Sequence, residues 1–209
     1  MNVSDEKSGR YNIESGEDKA WRELAADNTS DVCRRSLASW DDAARAYTLE
    51  ILGEKYSIFP ATRKIVNLDN PGRKFEYFLN LSAPIYLVRA RDAAPSGELV
   101  KELKGGEFFF RGSHTLPLDA VAQKYGRDRG LFEDAGRSMK GEPLKMGDAA
   151  FRFYPFPRVA MAFVIWFEDD EFEARVSLLF DRDADKHMAL DVVWAMALLS
   201  CQRMLGFAR

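Results

Sequence analysis

The most regular pattern of apolar and polar positions lies in the last third of the chain. Residues 159–167 (VAMAFVIWF) form a continuous apolar run, which is typical of a β-strand covered on both faces. Residues 171–181 (EFEARVSLLFD) alternate between apolar and polar positions, which predicts a strand with one buried face. An acidic turn centred on Asp169 and Asp170 separates the two segments, so together they predict a β-hairpin.

The position of this turn fixes the expected register of the hairpin. Phe167 should face Phe172 and, at the far end, Arg158 should face Asp181. We therefore expect a cross-strand ion pair between Arg158 and Asp181, worth about 0.2–1 kcal/mol if it is exposed.

The last element is predicted to be a helix that begins near Asp185. Its strongest apolar stripe should bury Trp194, Leu198 and Cys201 on one face. We expect Asp183 or Asp185 to cap this helix, because acidic side chains at a helix start accept backbone N–H bonds and complement the helix dipole.

Weaker patterns predict the elements of the first two thirds of the chain. Helical spacing occurs over residues 17–28, 30–40 (capped by Ser30 or Asp31), 75–86 (kinked or shortened by Pro84), 118–125 and 129–139. Strand patterns occur over residues 47–51 and 56–58 around a turn at Gly53, over 65–66, and over 107–112 (EFFFRG).

Strand and helix segments are grouped along the chain and do not alternate regularly. This grouping predicts an α+β fold, an antiparallel sheet with helices packed on it and a C-terminal helix after a β-hairpin. Residues 1–17, rich in Ser, Gly and acids, are expected to be a disordered polar tail, and residues 18–209 a single α+β domain.

Composition narrows the possible partners and the compartment. The 209 residues carry a net charge of −3 with both signs mixed, so no overall field attracts nucleic acid or an anionic membrane. The start of the chain has no apolar signal segment, and no apolar run is long enough to span a membrane. Two cysteines, Cys33 and Cys201, are too few for a disulfide framework, and we expect buried thiols in a cytoplasmic protein.

The acidic segment after the hairpin resembles one kind of metal loop only at its start. Asp181, Asp183 and Asp185 have the spacing with which an EF-hand calcium loop begins. The sixth position of such a loop requires Gly and is Lys186, and the twelfth requires Glu and is Val192. An EF-hand is therefore excluded.

A simpler metal site and a purely structural role remain as alternatives for the same segment. His187 and Asp191 are four residues apart and would share a face of the predicted helix, where they could bind one divalent ion. Helix capping and the solvated rim of a hairpin explain these residues without a metal, and we favour that interpretation. Ser113 and His114 are adjacent, but no nucleophile-elbow, phosphate-loop or dinucleotide motif accompanies them, and no cofactor is predicted.

The order of motifs resembles the bacterial and archaeal family DUF3786, a domain without an assigned reaction. The resemblance covers about residues 20–205 and is carried by FEYFLNLSAP, GELVKELKGGEFFFRGSHTLPLD, the segment from GDAAFRFYPFPR to VSLLFD, and ALDVVW. It implies an association with anaerobic metabolism; some similar proteins carry a cysteine-rich iron–sulfur segment, which this chain lacks. The residues that match the family pattern are Pro157, Arg158, Trp166, Asp170, Glu171, Phe172, Phe180, Asp181 and Asp191.

These observations favour a non-catalytic cytoplasmic domain that binds a small ligand or a protein partner in anaerobic metabolism. The candidate ligand-binding residues are Arg158, Trp166, Asp170, Glu171 and Asp181. The alternative is a metal-dependent enzyme that uses the acidic cluster around Asp181, His187 and Asp191, with Arg158 beside it.

Overall fold

Two antiparallel sheets and six α-helices make up residues 16–73, 76–106 and 115–206, the part of the chain that the computed structural model describes. The helices are α1 (Gly16–Ala26), α2 (Thr29–Ser36), α3 (Tyr77–Arg89), α4 (Leu118–Tyr125), α5 (Arg129–Ser138) and α6 (Leu190–Gly206). The strands are β1 (Ser39–Asp41), β2 (Ala46–Ile51), β3 (Glu54–Phe59), β4 (Lys64–Asn67), β5 (Leu99–Val100), β6 (Glu142–Leu144), β7 (Ala149–Phe156), β8 (Val159–Trp166) and β9 (Arg175–Asp181). The sheet orders are β1-β2-β3-β4 and β5-β9-β8-β7-β6, which confirms the α+β prediction. The predicted strand at 107–112 and residues 1–15 of the predicted tail lie outside the described residues.

The first hairpin forms as its alternation predicts. Strands β2 and β3 pair in antiparallel register, and β4 adds the expected third strand. Gly53 occupies the turn with a φ of +81°, and a Cβ there would lie 2.8 Å from the backbone carbon of Met139. Glycine is required because the turn packs directly against the end of α5.

The second hairpin forms, but its predicted register is wrong by two residues. Met161 faces Phe180 and Trp166 faces Arg175, so that the loop between the strands spans residues 167–174. The carboxylate of Asp169 accepts hydrogen bonds from the backbone N–H groups of Glu171 and Phe172, which makes a wide loop where a tight turn was expected. A shift of two keeps the same side chains on each face, so the burial pattern survives the error.

The continuous apolar run in β8 is covered on both faces, as predicted. Phe163 and Ile165 are fully buried in the main core, between the second sheet and the helices. Ala162 and Val164 point the other way into a smaller apolar cluster with Leu179, and their exposures are 0% and 1%.

Helix α6 begins later than predicted and is buried on more than one side. A single 3₁₀ turn (Ala184–Lys186) precedes it. Cys201 is buried as expected, whereas Trp194 and Leu198 are only half-buried, which corrects the predicted stripe. Because α6 packs against α3, α4 and β7, it buries most of its circumference, and no single apolar stripe can describe it.

Two other local predictions also need correction. The cap of α2 is Asn28, whose side chain accepts a hydrogen bond of 3.0 Å from the backbone N–H of Asp31. Ser30 and Asp31 lie inside the first turn of that helix. Pro84 does not end α3, which continues to Arg89.

Candidate functional site

Arg158, one of the predicted ligand-binding residues, is buried in the turn between β7 and β8. Its guanidinium donates hydrogen bonds to the backbone carbonyls of Arg35 (2.5 Å), Ala93 (2.9 Å) and Arg34 (3.0 Å). It also forms an ion pair of 2.6 Å with Asp92. The predicted cross-strand pair with Asp181 is absent because the hairpin register differs, and Arg158 instead joins the end of α2 to the segment after α3.

Asp181 holds the same segment from its other end. It pairs with Leu99 of β5 and is 1% exposed. Its carboxylate accepts hydrogen bonds from the backbone N–H and hydroxyl of Ser96, each 3.0 Å, and from the N–H of Gly97 at 2.8 Å. A fourth bond comes from the N–H of Asp183 at 3.0 Å, so both oxygens of this carboxylate have protein donors.

His187 and Asp191 do not share a helical face, because α6 begins at Leu190 and His187 lies before it. His187 is buried and its Nδ1 accepts a hydrogen bond from the backbone N–H of Arg91 at 3.3 Å, whereas Asp191 is exposed. Across the residues that the structure describes, no group of three His, Cys, Asp or Glu side chains is arranged to hold a metal ion.

The predicted capping of α6 by acidic residues is also wrong. Asp183 makes no side-chain cap bond and instead pairs with Lys186 at 2.8 Å. The hydrogen bond and positive charge of Lys186, acting against slight burial, lower the pKa of Asp183.

The remaining predicted residues lie apart from this cluster. Trp166 ends β8, and the guanidinium of Arg175 lies 4.3 Å from the centre of its indole ring. Asp170 and Glu171 are exposed in the loop between β8 and β9. The structure thus brings Arg158, Asp181 and His187 to one segment of backbone and leaves the other candidates elsewhere.

A cleft that the sequence did not reveal lies at the C-terminal end of α6. Its volume is about 430 Å³, and we call it the Arg203 cleft. The residues that line it are Leu52, Glu54, Arg73, Glu76, Ala135, Ser138, Met139, Gln202, Arg203, Met204 and Gly206. A smaller cleft of about 190 Å³ shares Arg73 and Glu76 with it, so these two side chains stand between the two spaces.

Arg203 organises the charged wall of this cleft. Its guanidinium binds both carboxylate oxygens of Glu76 through Nε and Nη2, each at 2.7 Å. Nη1 binds Glu54 and Nη2 also binds the hydroxyl of Tyr56, both at 2.7 Å. One side chain therefore connects α6, the start of α3 and the first hairpin, and its donors face acceptors on three sides.

Glu54 is held ionised by this network. Burial alone would raise the pKa of its carboxyl, but hydrogen bonds from Arg203 and Arg73 lower it to about 2. Asn67 and Tyr56 donate to the same carboxylate at 2.9 and 3.0 Å. Burial also raises the pKa of Tyr56 to about 12, so its phenol stays protonated and remains a donor.

Arg73 has fewer hydrogen bonds than Arg203, although its Nε is buried. Its Nη2 binds Glu54, whereas its Nε and Nη1 make no hydrogen bond within the described residues. Its side chain is 27% exposed, against 12% for Arg203. Two arginines and two glutamates thus balance in charge, but only Arg73 offers unused donors at the cleft.

Sequence reasoning missed this site because its parts are far apart and locally ordinary. Glu54 begins β3 beside the hairpin turn, where a charged residue carries no functional signal, and it lies 149 positions before Arg203 in the sequence. The one available signal was Arg203 itself, a charged residue within the apolar run of the last helix.

Comparison with known proteins places the chain in a family and gives no activity. The family model for DUF3786, a domain of unknown function, matches residues 28–203. No curated protein and no solved structure matches the chain. Among the described helices, none combines the length and the apolar character needed to cross a membrane. Since the family model covers most of the sequence, the chain belongs to the DUF3786 family, whose function is unknown.

Proposed function

We propose that this protein is a binding domain that takes a small molecule bearing a carboxylate or phosphate group in the Arg203 cleft. The observation that carries the proposal is Arg73, a partly exposed guanidinium that lines the cleft and whose Nη1 makes no hydrogen bond within the described residues. Carboxylates and phosphates form strong charge-assisted hydrogen bonds with a guanidinium N–H group.

Of the two arginines at the cleft, Arg73 makes fewer bonds to carboxylates. Arg203 neutralises Glu76 through a two-bond pair and shares Glu54 with Arg73. Arg73 is therefore the cation that is least compensated. A ligand anion would bind its Nη1 while Glu54 keeps its Nη2.

The size and walls of the cleft suit a metabolite. Its volume of about 430 Å³ falls within the range of about 300–1,000 Å³ that small-molecule sites occupy. Leu52, Met139 and Met204 form apolar wall, and Ser138 and Gln202 supply polar groups. Such a combination of apolar surface with a few convergent polar groups is typical of ligand sites.

The same electrostatics argue for binding without catalysis. A general base working near neutral pH needs a pKa close to that pH, whereas the pKa of Glu54 is about 2. Its lone pairs already accept from Arg203, Arg73, Asn67 and Tyr56. The carboxylate therefore has little tendency to take a proton from a substrate.

We further propose a cytoplasmic setting and a role in anaerobic metabolism. The two free cysteines support a reducing compartment, and burial raises the pKa of Cys201 to about 12, which keeps that thiol unreactive. The link to anaerobic metabolism rests on the family resemblance alone. A protein partner is the competing occupant and would bind over a larger surface than this cleft.

Nuclear magnetic resonance titration of the ¹⁵N-labelled protein tests the proposal. The probes are succinate, inorganic phosphate and succinamide, an uncharged relative of succinate. We expect succinate or phosphate to shift the backbone signals of Leu52, Glu54, Ser138 and Gln202 and the side-chain Nε–H of Arg73. Succinamide should leave them in place. Equal shifts with succinamide, shifts confined to other surfaces, or no shifts at all would overturn the assignment of this cleft.

A further inference from the structure

The segment Arg91–Gly97, which we call the strap, crosses the buried cluster of Arg158, Asp181 and His187. It connects α3 to β5 without regular structure, and all its residues except Pro95 are exposed. The only backbone hydrogen bond within it joins the N–H of Ala93 to the carbonyl of Arg91. The strap is therefore held mainly by the buried side chains beneath it.

Three buried side chains hold the strap at successive points, and the exposed Arg34 also pairs with Asp92. His187 accepts from the N–H of Arg91 at its start. Arg158 binds Asp92 and the carbonyl of Ala93 in its first half. Asp181 accepts from Ser96 and Gly97 at its end. Arginine is always charged and Asp181 has four donors, so His187 is the holding group whose charge can change near neutral pH.

The hydrogen bonding of His187 requires the neutral ring. Because Nδ1 accepts from Arg91, the single ring proton is on Nε2, which is buried and has no hydrogen-bond partner. A second proton would have to sit on Nδ1 and would point at the N–H of Arg91. Protonation therefore removes this bond and sets a positive ring against a backbone donor.

The charges around His187 come from each element that faces it. Arg91 in the strap and Arg158 in the β7–β8 turn oppose a positive ring, whereas Asp181 at the end of β9 and Asp183 just after it favour one. Burial and then Arg158 lower the pKa of His187 below the ordinary value of 6.5, and the two aspartates only partly offset them. The unfolded chain takes up this proton more readily than the folded chain. The contribution of neutral His187 to the free energy of unfolding is therefore complete above pH 6.5 and is lost as the pH falls below that value.

We propose that the strap is a pH-sensitive cover that opens when His187 takes up a second proton. Opening would break the Arg91 contact first and would then expose the guanidinium of Arg158 and the carboxylate of Asp181 to solvent. This device is separate from the Arg203 cleft, and neither proposal requires the other.

Hydrogen exchange of individual amides, corrected for the intrinsic effect of pH, tests the strap. Between about pH 7 and about pH 5 the protection of the Arg91, Ser96 and Gly97 amides should fall by about tenfold or more. The amide of Phe163 in β8 should remain much more strongly protected than the strap amides at both pH values, which separates strap opening from global unfolding. In His187→Gln, whose side-chain oxygen can accept from Arg91 at any pH, the pH dependence should disappear. Arg127→Ala, a change at an exposed side chain that pairs with Glu168, should behave as the unmodified protein does.

Unchanged protection at low pH, or the same loss in His187→Gln, would overturn the proposal. If that variant does not fold, the unmodified protein still decides the matter. The midpoint of strap opening must then coincide with the ring titration of His187 measured by nuclear magnetic resonance, and a clear mismatch contradicts the mechanism. The chain has two histidines, so the His114→Gln variant identifies the His187 signal.

Discussion

Arg158 and Arg203 each centre a buried polar network, yet their partners differ. Arg158 binds three backbone carbonyls and one carboxylate, and none of the clefts described above is lined by it. Arg203 binds two carboxylates and a phenol, and its network borders a cleft of about 430 Å³. The first network fixes the path of the chain, whereas the second leaves Arg73 with unused donors beside an open space.

The difference shows which feature of a buried arginine indicates binding. A guanidinium whose donors all reach protein acceptors has little left for a ligand, however unusual its environment. Unused donors at a concave surface are the more informative sign. By this criterion Arg158 and Asp181 use their hydrogen-bonding groups within the protein. The site proposed here lies instead around Arg73, which the sequence did not mark.

The largest effect is expected from Arg158→Ala. Removing the side chain leaves the carbonyls of Arg34, Arg35 and Ala93 without a donor and leaves Asp92 without one of its cations. Breaking a buried charged network typically costs about 3–5 kcal/mol in the free energy of unfolding, which urea denaturation measures. Arg127→Ala is the matched control, since this side chain is 82% exposed and its pair with Glu168 should be worth less than about 1 kcal/mol. Similar small losses in both variants would refute the structural role of Arg158.

Arg203→Met should have the next largest effect. It keeps most of the side-chain length but leaves Glu54 and Glu76 without their shared cation, so we expect a loss of about 2–3 kcal/mol. Adding Glu76→Gln to Arg203→Met should recover part of that loss, because one uncompensated charge is removed. A double variant whose two losses simply add would show that the residues do not act as one network.

A smaller, pH-dependent effect is expected from Glu54→Gln. The folded-state pKa of Glu54 is lowered from 4.5 to about 2. Its contribution to the free energy of unfolding is therefore complete above pH 4.5 and disappears as the pH falls toward about 2. The variant lacks this titration. Its stability should therefore fall less over that interval than that of the unmodified protein, by on the order of 1–2 kcal/mol. Parallel stability curves from urea denaturation across this range would show that Glu54 is not held ionised by its neighbours.

The sequence predicted the fold far better than the site. The elements of the fold depend mainly on local sequence patterns, whereas the site depends on contacts between residues that are far apart in the chain. The local periodicity of apolar residues was sufficient to predict the β2–β3 hairpin, β8 and helices α4 and α5, which all form where expected. Predictions that needed a contact between elements were less successful. The register of β8 and β9 depends on the loop conformation set by Asp169, and the burial of α6 depends on the elements on several sides of it.

The candidate residues show the same limit. Arg158 and Asp181 were predicted to bind a ligand and His187 a metal ion, and the structure gathers the three side chains beneath one strap. Their charge and position in sequence could not show that their hydrogen bonds are largely used within the protein. Glu54 begins β3, Arg73 and Glu76 lie in the connection between β4 and α3, and Arg203 lies in α6, so no local pattern connects all four.

The affinity of the Arg73→Ala variant for succinate and phosphate tests the central claim most directly. Arg73 makes one ion pair and is partly exposed, so its removal should lower the free energy of unfolding by less than about 1 kcal/mol. Binding should weaken by about tenfold or more, as the loss of a charge-assisted hydrogen bond implies. Arg127→Ala serves again as the control, because this arginine lies at another surface cleft. If Arg73→Ala and Arg127→Ala bind both anions as tightly as the unmodified protein, the Arg203 cleft is not the anion site.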